Sequence, residues 1–341
     1  RKLEISSKSS LFSASKLDGE CIPGAIVVAN RNSGSITIIS TNDGQQLDLQ
    51  MPSSGSGGIP QPMYVQYARE KVYVGCRTNS EVVVFDARTY KVINRVPAGE
   101  GVFHMWTDGN RLWVVNDVDN SITVIDTEQD KAIKNIDLSA YLAGSEDKPH
   151  DIVATPAGDA VYVSLVEGTI LKIDPSTFEV VSERTQNIGS DPHLAVTFAI
   201  DMILVPQQDS GMLSFLSQSD LSVAGEIMIP NAHGIGVSPN GRFAYVTDIG
   251  ASAGEGAIYT VDTKELKLVG GAPVATGASV PHNVVVTSDN RLFITHSGPN
   301  GMEVTEHQTG PDGIPTTVTN TYTVGTNPFG IGYVEGNCQY S

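Results

Sequence analysis

Residues 231–247 read Asn231-Ala232-His233-Gly234-Ile235-Gly236-Val237, then Ser238-Pro239-Asn240-Gly241-Arg242, then Phe243-Ala244-Tyr245-Val246-Thr247. A short apolar run, a Pro/Asn/Gly turn and a second run rich in Val and aromatic residues form the signature of two hairpin strands. The unit returns along the chain. Val102-Phe103-His104 leads through Thr107-Asp108-Gly109-Asn110 into Leu112-Trp113-Val114-Val115-Asn116, and then into Ser121-Ile122-Thr123-Val124-Ile125-Asp126. Lys148-Pro149-His150 leads through Thr155-Pro156-Ala157-Gly158-Asp159 into Val161-Tyr162-Val163-Ser164.

First strands placed at Met63, His104, His150, His193, His233, His282 and Phe329 recur every 40–49 residues. Units of that length, each with room for four strands, are propeller blades, and helical periodicity is nowhere sustained. The sequence therefore predicts an all-β, seven-bladed β-propeller over residues 21–341, preceded by an arm or added outer strand at 1–20. Asn327-Pro328-Phe329-Gly330-Ile331-Gly332-Tyr333 is a first strand with no chain left for three more. Ala25–Asn30 and Ser35–Ile39 supply its second and third strands, so blade one is expected to join both chain ends and remove an open edge. Cys21 and Cys338 then fall on the same connection. A disulfide between them is one reading, with an oxidising compartment following from it; two free buried thiols is the other.

Composition narrows the function. The formal charge is −17, from 38 acidic and 21 basic residues, and no basic stripe is visible. That balance argues against nucleic acid as a partner. No apolar run reaches the length of a membrane span. There is no Cys-x-x-Cys or Cys/His zinc pattern, no Gly-x-Ser-x-Gly elbow, no P-loop and no dinucleotide fingerprint. No Asn-x-Ser/Thr acceptor occurs, so glycosylation adds nothing to a secreted reading. The expectation is a secreted or otherwise extracytoplasmic monomer that handles a small molecule or saccharide.

The wording of residues 233–247 resembles the YVTN repeat of YncE-like propellers, and weaker copies cover nearly the whole chain from about residue 25. That resemblance implies the fold. It does not choose among the group's surface-layer and DNA-binding members, lactonases and lyases.

Five of the seven histidines occupy one repeat position: His104, His150, His193, His233 and His282. First strands line a propeller's channel, so five imidazoles are expected to converge at one mouth, with Met63 and Phe329 as an apolar flank. One such histidine would be a strand cap; five in register point to function. Converging imidazoles can ligate a metal, with His150, His193, His233 and His282 as the candidate ligands. Zinc, copper and calcium are the ions considered, and a carboxylate-poor set suits the first two better. The same geometry can serve as an acid/base pair without metal, with His104, His150 and His193 as the catalytic candidates. His104 is singled out because no Pro or Ala precedes it. The second strands end one step outward, at Arg77, Asn116, Asp248 and His296 among others, and are read as a polar rim for substrate. His296 is expected to orient His282, and Arg77 to clamp a carboxylate or else pair with Glu81. His307 is read as a surface residue.

Propeller lyases are functionally similar, and the secreted fungal rhamnose–glucuronate lyases share this size and blade number. That resemblance implies β-elimination: loss of the proton α to a uronate carboxylate and expulsion of the glycosidic oxygen. The alternatives are a non-catalytic surface-layer or YncE-like binding propeller, and a zinc- or copper-dependent propeller enzyme such as a lactonase or oxidase.

Overall fold

The computed structural model describes residues 21–53, 57–185, 188–197, 199–251 and 256–338. The arm expected at 1–20 lies outside them. Seven four-stranded antiparallel sheets stand in a ring, and each innermost strand packs on the innermost strand of the next blade. A 3₁₀ turn at Ser139–Tyr141 is the only helical element among the described residues. The seven-bladed propeller is the fold.

Each blade grades from dry to wet. Second strands such as Ala25–Asn30 and Val161–Leu165 are wholly buried, while outer strands such as Gln46–Gln50 and Glu179–Arg184 alternate half-buried with exposed. Between blades the aliphatic faces interlock. Trp113, Val115, Ile122 and Val124 of blade three pack against Ile152, Ala154, Val161 and Val163 of blade four. Each Val or Ile so taken from water contributes about 1.5–3 kcal/mol.

The Asp that ends many third strands has a local cause. Asp126 Oδ1 accepts the backbone N–H groups of Glu128 and Gln129, both at 2.8 Å, and Asp86 and Asp262 close their turns in the same way. These are Asx turns, which order the hairpin to the outer strand.

Blade one closes the ring as expected. Pro328–Val334 pairs antiparallel with Ala25–Asn30, with Val28 opposite Ile331 and Ala25 opposite Val334. Cys21 and Cys338 are joined by a disulfide, their Cα atoms 4.9 Å apart. Ile22 N donates to Asn337 Oδ1 at 2.6 Å and Asn337 N to Ile22 O at 2.8 Å, so hydrogen bonds reinforce the same junction. Cys76 is the remaining thiol, buried, with burial pushing its pKa up to about 11.

Candidate functional site: a belt of imidazoles around the channel axis

The innermost strands do not run as plain ladders. In blades two, three, four, six and seven the register slips just inside the strand start, for example between Pro149 and Ile152 and between Pro281 and Val284. The two residues within each slip leave the ladder, and a bulge of this kind re-aims side chains.

Three hydroxyls pin these bulges. Ser164 Oγ accepts from Asp151 N at 3.0 Å and donates to Pro192 O at 2.6 Å in the next blade. Thr247 Oγ1 does the same between Gly234 N and His282 O, and Thr295 Oγ1 between Asn283 N and Phe329 O. Each therefore ties one blade's bulge to the backbone beside a belt residue of its neighbour. The inner strands consequently run close together. A Cβ at Gly234 would fall 1.8 Å from His282 O, so only glycine fits there.

The slips expose a one-residue displacement. Val102 pairs with Asn116 as Pro149 pairs with Leu165 and Pro281 with His296. Phe103 is therefore the equivalent of His150 and His282, and His104 is the equivalent of Asp151, Asn283 and Tyr64. The five histidines still converge, but four come from one position and His104 from the next.

Together they form a continuous belt. Ring centroids lie 4.6 Å apart for His150 and His193, 4.0 Å for His193 and His233, and 4.6 Å for His233 and His282. His104 lies 5.0 Å from His150 and 5.2 Å from His193. Phe329 continues the belt from His282 at 4.2 Å, and Tyr64 stacks on His104 at 3.9 Å. Phe103 touches Tyr64, His104, His150 and Phe329, all within 6.0 Å, and fills the gap between them. Met63 sits instead in the core beside Tyr64, Val82 and Val102. The belt histidines are only 3–7% exposed, so the expected open mouth is a closed layer.

Behind the belt lies Asp151, a buried carboxylate that the sequence reading missed. His104 Nδ1 donates to Asp151 Oδ1 at 2.7 Å, His193 Nδ1 lies 3.5 Å from Oδ2, and Leu194 N donates to Oδ2 at 2.9 Å. Burial works to raise the Asp151 carboxyl, but His104 and His193 outweigh it and hold it well below the ordinary carboxylate range. On the other side His150 Nδ1 meets Pro192 O at 3.2 Å and Nε2 meets Asp191 Oδ1 at 3.2 Å.

Burial, reinforced by the neighbouring imidazoles, pushes His150 and His233 well below the usual imidazole value and His282 down to about 3. Burial also lowers His104, against the pull of Asp151. Several of the belt nitrogens, His104 Nε2, His193 Nε2 and both of His233, are buried and left without a hydrogen-bond partner.

Two overlapping groups bring ligand atoms within 4.8 Å of one another: His104, His150 and His193, and Asp191, His193 and His233. The buried histidine and aspartate set could hold a metal. His282 belongs to neither group; its Nδ1 faces Asn283 Nδ2 at 2.7 Å.

The expected polar rim is dispersed. Asn116 Nδ2 donates to Ser121 and Thr123 of its own blade, and Asp248 accepts from Asn231 and Gly250. His296 binds Ser279 O and Thr305 Oγ1 and does not orient His282. Arg77 pairs with Asp117 at 2.6 Å while Glu81 takes Arg95, so neither the free clamp nor the Arg77–Glu81 bridge is formed. His307 is fully buried, with Nδ1 on Thr316 O, which corrects its placement on the surface.

No family model matches the chain, and no curated protein matches it significantly. Solved structures do. A protein of Bacteroides fragilis, provisionally designated a 6-phosphogluconolactonase, is 18% identical with a TM-score of 0.68, over 92% of this chain and 98% of its own. Another so designated, from Bacteroides uniformis, is 17% identical with a TM-score of 0.69, over 92% and 99%. A protein from Lactobacillus plantarum is 15% identical with a TM-score of 0.73, over 92% and 100%. These likenesses show the fold alone. The fungal rhamnose–glucuronate lyase family gains no support from them.

Proposed function

We propose that the chain is a hydrolase of small lactones or esters, working at the imidazole belt with a divalent transition metal. The observation that carries this reading is the set of buried imidazole nitrogens without partners, set between the carboxylates Asp151 and Asp191. Unpaired buried polar atoms are costly, and several sharing one small volume call for a common cation. His193, His233 and Asp191 would hold it, with His150 bridged to the set through Asp191. A donor set dominated by nitrogen suits zinc or copper rather than calcium. Bound there, such an ion supplies Lewis-acid polarisation of an acyl carbonyl.

The chain's own groups account for the proton. Asp151 accepts the Nδ1–H of His104 and so fixes the tautomer whose Nε2 lone pair is free. His104 takes a proton from water as that water's oxygen attacks the carbonyl carbon. The acyl C–O bond breaks, the proton passes to the departing oxygen, and the products are a hydroxyl and a carboxylic acid. The provisional lactonase designation of two proteins sharing the fold supports the same reaction class. The Cys21–Cys338 disulfide supports an extracytoplasmic location.

Lactone opening at neutral pH releases acid, which a pH-stat records directly. Turnover of γ- or δ-lactones is expected, reduced about 10²–10⁴-fold in a folded His104→Ala variant. A panel of lactones and aryl esters left unhydrolysed would overturn this reading and favour a non-catalytic binding propeller.

A further inference from the structure

The belt is shut on the side where the inner strands begin, but it is not sealed from below. A chamber of about 90 Å³ lies against its inner side, lined by Tyr64, His104, Asp151, His193 and Asn283. The chamber shares Gln66, Trp106, Ile235, Val284 and Ile331 with a larger cavity of about 410 Å³ at the far ends of the same strands. Its lining begins at Ile235, Val284 and Ile331, two residues along their strands from His233, His282 and Phe329, so the wide cavity begins about 7 Å below the belt and extends past Val237.

Its lining differs sharply from the rest of the molecule. In a chain with 59 charged residues none lines this cavity, whose walls are Val65, Trp106, Val237, Val286, Ile331 and Tyr333 among other uncharged residues. Its volume lies in the range of small-molecule pockets, and apolar walls converging on a few polar groups are the usual plan of such sites. The polar groups at its narrow end include His104 and His193, each of which carries an unpartnered nitrogen, beside Asp151 and Asn283.

We infer that this funnel is the substrate entrance and that it selects a lactone or ester bearing an extended apolar arm. The reacting head would reach the chamber beside His104 while the arm lies along Trp106, Val237 and Val286. The selection of a lactone or ester rests on the hydrolase reading; the apolar-arm site stands independently of it. Polar or highly charged substrates are disfavoured, because the walls offer them few partners.

The two tryptophans make the test direct: Trp113 is fully buried between blades, whereas Trp106 lines the funnel and is partly exposed. Titrating the full chain with γ-butyrolactone and its homologues of increasing alkyl length should shift Trp106 fluorescence. Affinity should rise about fourfold for each added methylene. The signal should vanish in Trp106→Phe, and affinity should fall at least tenfold in Val237→Asp with the thermal midpoint retained. Val286→Asp gives a second reading should the first variant unfold. An unchanged fluorescence across the series, or affinity independent of chain length, overturns the funnel. Chain-length-dependent binding without hydrolysis would keep the funnel and refute the hydrolase; hydrolysis without any chain-length preference would do the reverse.

Discussion

His104 Nδ1 donates to Asp151 Oδ1 across 2.7 Å, joining the innermost strands of blades three and four at the channel axis. The contact exists because His104 stands one position further along its strand than the other belt histidines, level with Asp151 itself. It places a buried carboxylate behind an imidazole whose other nitrogen is unpaired. Carboxylate–histidine pairs of this kind orient the ring and raise its basicity.

Asp151→Asn should keep the bond from Leu194 N yet lose the charge that holds the His104 tautomer. Activity or metal affinity is expected to fall about ten- to hundredfold, with the thermal midpoint changed little. Parallel calorimetric scans and zinc titrations measure both.

The ring closure can be opened chemically. The disulfide closes a loop with a sequence separation of 317 residues, and its loss should cost about 2–5 kcal/mol, or about 3–7 °C in thermal midpoint. The Ile22–Asn337 bonds remain in a Cys21→Ser/Cys338→Ser variant, so it should still fold. Scanning the oxidised, reduced and doubly substituted proteins side by side checks this.

Blade seven supplies a pH dependence free of the belt. Burial lowers His296 to about 4 and also lowers His307. The unfolded chain binds protons on these groups below about pH 6.5, where the folded chain resists them. Stability is therefore full above that pH and falls as pH drops toward 4, because the unfolded state then holds more protons. His296→Gln should flatten part of this slope in thermal midpoints measured across the interval, leaving the midpoint at pH 8 lowered or unchanged.

The blades were legible because turn residues punctuate strands of one length, and the ring closure because Asn327–Tyr333 had no partner strands of its own. The belt was legible in outline, since four histidines share one repeat position. The displacement of His104 left a trace in its preceding residue, Phe103, where the others carry Pro or Ala. That trace is weak because a one-residue slip inside a bulge preserves the period. Asp151 was missed although it follows His150 directly, since a lone acid beside a strand start usually faces solvent. The roles of Ser164, Thr247 and Thr295 depend on contacts between blades, which no single repeat displays. The rim assigned to Asn116, Asp248 and His296 dispersed because these side chains bond within their own blades.

The proposed hydrolase requires a metal at the belt. Protein prepared without chelator should carry stoichiometric zinc or copper by elemental analysis, or take up zinc stoichiometrically at micromolar concentration once stripped. His193→Ala, which removes the residue common to both ligand groups, should abolish that uptake while the propeller remains folded. Metal-free protein that binds neither ion, or a His193→Ala variant that binds as the parent does, would contradict it.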